Sequence, residues 1–313
     1  MSYCVAWKYN NSVFMLADTA TSSLVGTPLT NYNSMGEKQT VYDNYLIQEN
    51  LLKLITINDN LAVAFATDDT NVADEMIQTI SFLYKTVDFN TLLKNFTSTY
   101  GTNKNTELLL IHSTRQNNAQ IYKFCNGLFS THEYADIGSG TQTKTLSEDM
   151  KLIIKMYEND HYNDSNYYLA LVASTLQCYL FHNDYFKHGI GGIVTGLYLN
   201  SRIKFCRDLE FYFFQNDINK GDSLSVINRY HSFFSSSKLG KQRGYINPVD
   251  AEIIEDEYNV SGIIKSLDTK NPFYYIFYCN DRNVMIFLET NGKLHNYHFS
   301  RYIRRDLGQT DYS

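Results

Sequence analysis

The sequence predicts an α+β fold in which two β-sheets pack together and helices cover them on the outside. Two observations predict it. The chain reads as strands, two helices, strands, two helices, strands, and each set of half-apolar strands in such an order needs a second layer to bury it. The composition agrees, since 26 Tyr and 19 Phe against only 3 Pro favour strands joined by short turns.

The first element is a β-hairpin. Ser2-Tyr3-Cys4-Val5-Ala6-Trp7-Lys8-Tyr9 runs into a polar turn at Asn10-Asn11-Ser12, and Val13-Phe14-Met15-Leu16-Ala17-Asp18-Thr19 returns. Residues 20–50 are polar, with Gly26, Pro28 and several Asn, and read as a long loop or insertion. Lys53 to Ile57 is a strand, Asn58-Asp59-Asn60 a turn, and Leu61 to Ala66 the returning strand. Thr67-Asp68-Asp69-Thr70 supplies helix N-caps. Met76, Ile77, Ile80 and Leu83 then follow at helical spacing over 73–84, and a second helix fits 90–99. The order repeats with strands at 107–112, 120–124 and 128–137, helical patterns at 142–157 and 165–182, and strands at 193–199 and 202–214.

Bulk properties narrow the function. A net charge of −6 and a pI near 5.7 argue against nucleic acid or an anionic membrane as the main partner. The five cysteines, Cys4, Cys125, Cys178, Cys206 and Cys279, show no zinc-type spacing and read as reduced thiols. No signal-peptide pattern opens the chain, and no apolar run reaches the roughly 18 residues of a membrane span. A cytoplasmic protein without a cofactor is expected.

Four segments, in order, resemble the proteasome β-subunit group of N-terminal-nucleophile (Ntn) hydrolases, most nearly its bacterial Anbu and HslV branches. They are the opening Met1-Ser2-Tyr3-Cys4-Val5, Leu16-Ala17-Asp18-Thr19, Lys53 to Ala66 with its lysine-led strand, and Asp136-Ile137-Gly138-Ser139-Gly140. The resemblance covers roughly residues 1–215 and implies a four-layer αββα sandwich. It divides the chain into an Ntn domain at 1–220, with the insertion at about 20–50, and a C-terminal β-rich extension at 221–313.

The resemblance also implies a chemistry. Removal of Met1 leaves Ser2 with both a hydroxyl and a free α-amine, which titrates near ~8 and can serve as general base. Lys53 would sit beside the hydroxyl, and its charge would favour the alkoxide. Asp18 would hold Lys53. The backbone N–H of Thr67 would stabilise the oxyanion, Ser139 would bind the α-amine or the catalytic water, and Asp184 is the best match for the family's last acid. Ser22 and Phe65 would line the substrate pocket with Thr67. Each also has a plainer reading: Asp18 as a turn residue, Lys53 as a solvated edge lysine, Gly138-Ser139-Gly140 as a flexible turn.

Several positions depart from the family pattern. Asp18 and Lys53 lie about twice as far apart as in the family, Ala20 stands where Arg is common, Thr67 replaces a glycine, and Lys187-His188-Gly189 occupies the place of a serine. His182 and His188 lack the carboxylate or thiol company of a metal site. Gly189-Ile190-Gly191-Gly192 lacks the Lys-Ser/Thr of a phosphate loop and precedes a strand.

Beyond 220 the resemblance ends. Residues 221–250 are polar, with a loop expected at 235–241. Strands are expected at 262–265, 273–278, 284–288 and 294–299, with turns at 281–283 and 291–292 and a basic tail at 301–305. The function expected is a peptidase acting on peptide or protein substrates as a homo-oligomeric ring or spiral, with an ATPase partner left open. The rivals are a catalytically silent Ntn-fold scaffold or partner subunit and a small-molecule amidohydrolase of the same fold.

Overall fold

A computed structural model describes residues 2–24, 41–42, 44–49, 51–113, 118–142, 144–158, 164–192 and 194–205, and the strands that lie between 209 and 300. It has a mixed α+β architecture with several antiparallel sheets. The chain divides into two compact units. The first comprises residues 1–206 with 233–246, and the second comprises 207–232 with 247–313.

In the first unit β1 (Cys4–Tyr9) and β2 (Ser12–Ala17) form the opening hairpin, from Cys4 opposite Ala17 to Tyr9 opposite Ser12. Asn10 takes the left-handed turn conformation at φ 51°, which short Asn side chains tolerate. There follow β3 (Ala20–Leu24), β4 (Val41–Tyr42), β5 (Tyr45–Glu49), β6 (Leu54–Asn58) and β7 (Leu61–Thr67). Helices α1 (Thr70–Thr86) and α2 (Phe89–Tyr100) come next. Asp69 caps α1 by accepting from the Asn71 N–H, and Asp88 caps α2 by accepting from the Thr91 N–H. Then come β8 (Thr106–Ser113), β9 (Ala119–Cys125), β10 (Leu128–His132) and β11 (Tyr134–Ile137), and α3 (Lys144–Glu158) and α4 (Ser165–His182). Strands β12 (Thr195–Leu199) and β13 (Ile203–Phe205) complete the unit's own sequence run.

One five-stranded sheet has the order β11-β1-β2-β12-β13 and the other β10-β9-β8-β7-β6. A single buried cluster draws on both: Cys4, Ala6, Met15 and Ala17 from the first, Ala64, Ala66, Leu109 and Ile111 from the second. Residues of opposite parity on the second sheet, Val63, Phe65, Leu108 and Leu110, join Met76, Ile80, Leu92 and Phe96 of α1 and α2. The outer face of the first sheet meets α4, where the Trp7 indole N–H donates to the Tyr168 hydroxyl at 3.1 Å and Gly196 lies against Leu169. Each large apolar side chain buried this way contributes about 1.5–3 kcal/mol.

Three expectations change. The polar stretch 20–50 carries a small sheet, β3-β5-β4; its Ser and Thr are compatible with half-exposed strands. Residues 128–137 are two strands, because β10 pairs with β9 while β11 crosses to pair with β1. The loop expected at 235–241 is largely strand, as β15 (Val226–Lys238) and β16 (Lys241–Pro248) follow β14 (Leu209–Phe214). Strand β17 (Glu252–Ile254) pairs with β15, and β18 (Tyr274–Tyr278) with β14. Strands β19 (Asn283–Thr290) and β20 (Lys293–Ser300) form a hairpin in register from Asn283–Ser300 to Thr290–Lys293. The strand expected at 262–265, the turn at 291–292 and the tail at 301–305 lie outside the described residues. Among those described, no helix is long and apolar enough to cross a membrane.

Candidate active site

Asp18 follows the end of β2 in one sheet and Lys53 precedes β6 in the other, so their pairing links the two sheets. Both are 1% exposed. Lys53 Nζ donates to Asp18 Oδ1 at 2.5 Å and to the Ala20 carbonyl at 2.6 Å. Taking two such ions out of water costs several kcal/mol each, so their remaining valences must be met. They are: Asp18 Oδ1 also accepts the Tyr3 N–H at 2.9 Å, and Oδ2 accepts the Gly191 N–H at 3.0 Å. Gly191 in turn accepts from the Thr19 and Ala20 N–H groups. The loop reaches that position through positive φ at Gly189, Gly191 and Gly192. Buried Gln177 of α4 secures it, donating to the Gly192 carbonyl and accepting from the Val194 N–H.

Ser2 is held through its backbone by the turn that follows β11. Its backbone nitrogen donates to Ser139 Oγ at 3.1 Å, and its carbonyl accepts the Gly140 N–H at 3.2 Å. Gly138 has φ +93°, and a Cβ there would stand 2.3 Å from the Ser2 carbonyl oxygen. Only glycine lets the turn approach this closely. Ser139 opens a single 3-10 turn, Ser139–Gln142, ahead of α3.

Ser2, Thr67 and Ser139 line a cleft of about 410 Å³ together with Ala66, Asp68, Lys104, Asn105, Glu107, Cys125, Asn126, Gly138 and Thr141. Its lining is mostly polar. Asp18 and Lys53 are not among the cleft residues, and the pair reaches the residue next to Ser2 through the Tyr3 N–H on Asp18 Oδ1. Thr67 Oγ1 bonds to Thr106 Oγ1 and to the backbone of Asp69. Phe65 points the other way, into the helix-side core, and Ala66 takes the place on the cleft. That follows from strand alternation. Ser22 lies half-buried on β3 opposite Ile47. Asp184 is exposed, pairs with Lys187 at 2.6 Å, and is not among the cleft residues. Met1 lies outside the described residues.

The thiols near the site are poor nucleophiles. Burial pushes the Cys4 thiol up, only partly offset by Lys53. Burial and then the Glu107 carboxylate push the Cys125 thiol up. Among the described residues Cys4 and Cys125 are free, and no group of three or more His, Cys, Asp or Glu could hold a metal.

Two contributors are absent from the sequence reading. The backbone N–H of Gly191 carries no side-chain signal beyond its glycine-rich setting. Glu107 had one faint signal, a carboxylate heading the apolar run Leu108-Leu109-Leu110-Ile111. No family model matches the chain, and a search of curated proteins returns no match.

Proposed function

We propose that this chain is a proteasome-like N-terminal-nucleophile peptidase with the four-layer αββα fold of that group, and that Ser2 is its nucleophile once Met1 is removed. The observation that carries the proposal is the double hold on Ser2. Ser139 and Gly140 bind its backbone, while the buried Asp18–Lys53 pair is tied to the next residue, Tyr3. The cluster shared by the two sheets and the helices packed on their other faces support the layered fold.

In this reading Ser2 Oγ attacks the carbonyl carbon of a peptide bond, and its proton passes to the freed α-amine, directly or through water. The Lys53 charge favours the alkoxide, and the Thr67 N–H receives the oxyanion. The tetrahedral intermediate collapses as the leaving amine takes the proton. Water then hydrolyses the acyl ester by the reverse proton route and restores Ser2. The substrate is a peptide or protein and the active form a homo-oligomer in the cytoplasm. Ser22 and Asp184 are not among the residues that line the cleft.

Intact-mass spectrometry tests the proposal. The purified chain should lack Met1, and an electrophilic peptide warhead should add to Ser2 in the wild type and not in Ser2→Ala. Retained Met1 without labelling refutes it. One observation favours a second reading, a silent scaffold of the same fold: Asp184 is engaged with Lys187 at the surface. A Ser2→Ala chain that keeps its biological role supports that reading. Cleavage of short acyl amides but not of a peptide library would instead mark a small-molecule amidohydrolase.

A further inference from the structure

We infer that Glu107 is a positioning residue for Ser2, its carboxylate holding the Gly138–Ser139 turn in place against the nucleophile. This rests on the Ser2 reading above. Glu107 stands near the head of β8, opposite Ala66 of β7. Its Oε2 accepts the Gly138 N–H at 2.8 Å, and its Oε1 accepts from the Cys125 thiol at 3.0 Å. Gly138 follows β11, which belongs to the other sheet. The Glu107–Gly138 bond therefore ties the two sheets together at the cleft end.

What it ties down is the group that binds Ser2. Gly138 is wedged in a space where a Cβ would stand 2.3 Å from the Ser2 carbonyl oxygen and 3.2 Å from the Ala66 Cβ. The next residue presents Oγ to the Ser2 nitrogen, and the one after donates its N–H to the Ser2 carbonyl. A shift of about 1 Å in this turn breaks both contacts and costs on the order of a hundredfold in a positioned reaction. One carboxylate oxygen is engaged with the turn and the other with Cys125, so the role argued for Glu107 is exerted through the turn. The Cys125 thiol stays protonated and supplies the second arm that orients the carboxylate.

The test uses the full chain and a peptidyl β-lactone as the acylating probe, with ester formation on Ser2 followed by intact mass at several probe concentrations. Glu107→Ala should lower the maximal acylation rate about tenfold to a hundredfold and leave half-saturation within about threefold. Glu107→Gln should stay within about threefold of wild type, because its amide oxygen can still accept from Gly138 and its NH₂ can donate to the Cys125 sulfur once the thiol proton turns away. Cys125→Ser, which keeps a donor, should do the same. Wild-type rates in Glu107→Ala overturn the inference, and so does an equal loss in Glu107→Ala and Glu107→Gln, which would mark a role for the charge itself. Should Glu107→Ala not fold, Glu107→Asp, too short to reach Gly138, replaces it. Backbone hydrogen exchange over 138–140 gives a readout independent of catalysis. It should speed up about tenfold in Glu107→Ala and not in Glu107→Gln, and unchanged exchange overturns the inference. An unlabelled wild type refutes the Ser2 reading alone, and the exchange arm still decides whether Glu107 holds the turn.

Discussion

Replacing Asp18 with Asn removes a charge on which three donors converge. Lys53 Nζ and the Tyr3 N–H share Oδ1, and the Gly191 N–H takes Oδ2. An amide keeps one acceptor oxygen. With that oxygen at the Oδ1 position, its NH₂ group faces the Gly191 N–H, donor against donor, and strands a buried amide at a cost of about 1–3 kcal/mol. Lys53, 1% exposed, also loses its counter-charge, and breaking a buried pair in this way costs about 3–5 kcal/mol in all. That is a large part of the roughly 5–15 kcal/mol that holds a domain together. Trp7 is the chain's one tryptophan, buried in the same sheet, so urea unfolding followed by its fluorescence reports this unit. Lys53→Met should also destabilise, and the Asp18→Asn/Lys53→Met double variant should lose less than the two single losses added, by more than about 1 kcal/mol. An Asp18→Asn chain within about 1 kcal/mol of wild type, with additive behaviour in the double variant, refutes the reasoning.

Gly138→Ala would set a Cβ 2.3 Å from the Ser2 carbonyl oxygen at φ +93°. It should cost at least about 2 kcal/mol and abolish Ser2 labelling, read by thermal unfolding and intact mass. Tyr168→Phe leaves the buried Trp7 indole N–H without its 3.1 Å partner. It should cost about 1–3 kcal/mol, measured by the same fluorescence transition. His112 is stacked on Phe89 at 3.8 Å, and burial lowers its pKa to about 4. The fold therefore favours the neutral ring: its contribution, at most about 3 kcal/mol, is complete above pH 6.5 and is lost as pH falls toward 4. Urea midpoints against pH should show that limb, and His112→Phe should flatten it.

What the sequence made legible was local. The opening hairpin, the capped helix α1, a second helix over 90–99 and the strand alternation of β7 follow from period and turn chemistry. Asp18 and Lys53 stood out as charges at the ends of apolar strands. Gly138 stood out inside a Gly-Ser-Gly turn. The rest depended on partners distant in sequence. At Glu133 the chain leaves one sheet and enters the other, held by the Lys8 N–H on its carbonyl and by Lys8 Nζ on its carboxylate at 2.8 Å. Nothing between 128 and 137 announces that exchange. The strands within 20–50 were hidden because Ala20-Thr21-Ser22-Ser23-Leu24 has the polarity of a loop, and pairing with β5 decides its conformation. Phe65 was assigned to the cleft by position in a motif, whereas strand parity sends it to the helices and leaves Ala66 in its place. Glu107 gains its meaning only when β8, β9 and the end of β11 are brought together.

The Asp18–Lys53 pair also bears on the choice between enzyme and scaffold. An apolar pair of similar volume would hold β2 against β6 as well as an ion pair does, and often better, because neither side chain would need to shed water. Stability alone therefore gives no reason for a lysine at 1% exposure. Under the proposed reading, in which Ser2 must become an alkoxide and Lys53 favours it, the lysine has a reason. The double variant Asp18→Asn/Lys53→Met separates the two. If the pair serves only structure, the variant that regains stability should also regain whatever Ser2 does. If the pair serves chemistry, the chain should fold, keep Ser139 on the Ser2 nitrogen, and fail to acylate.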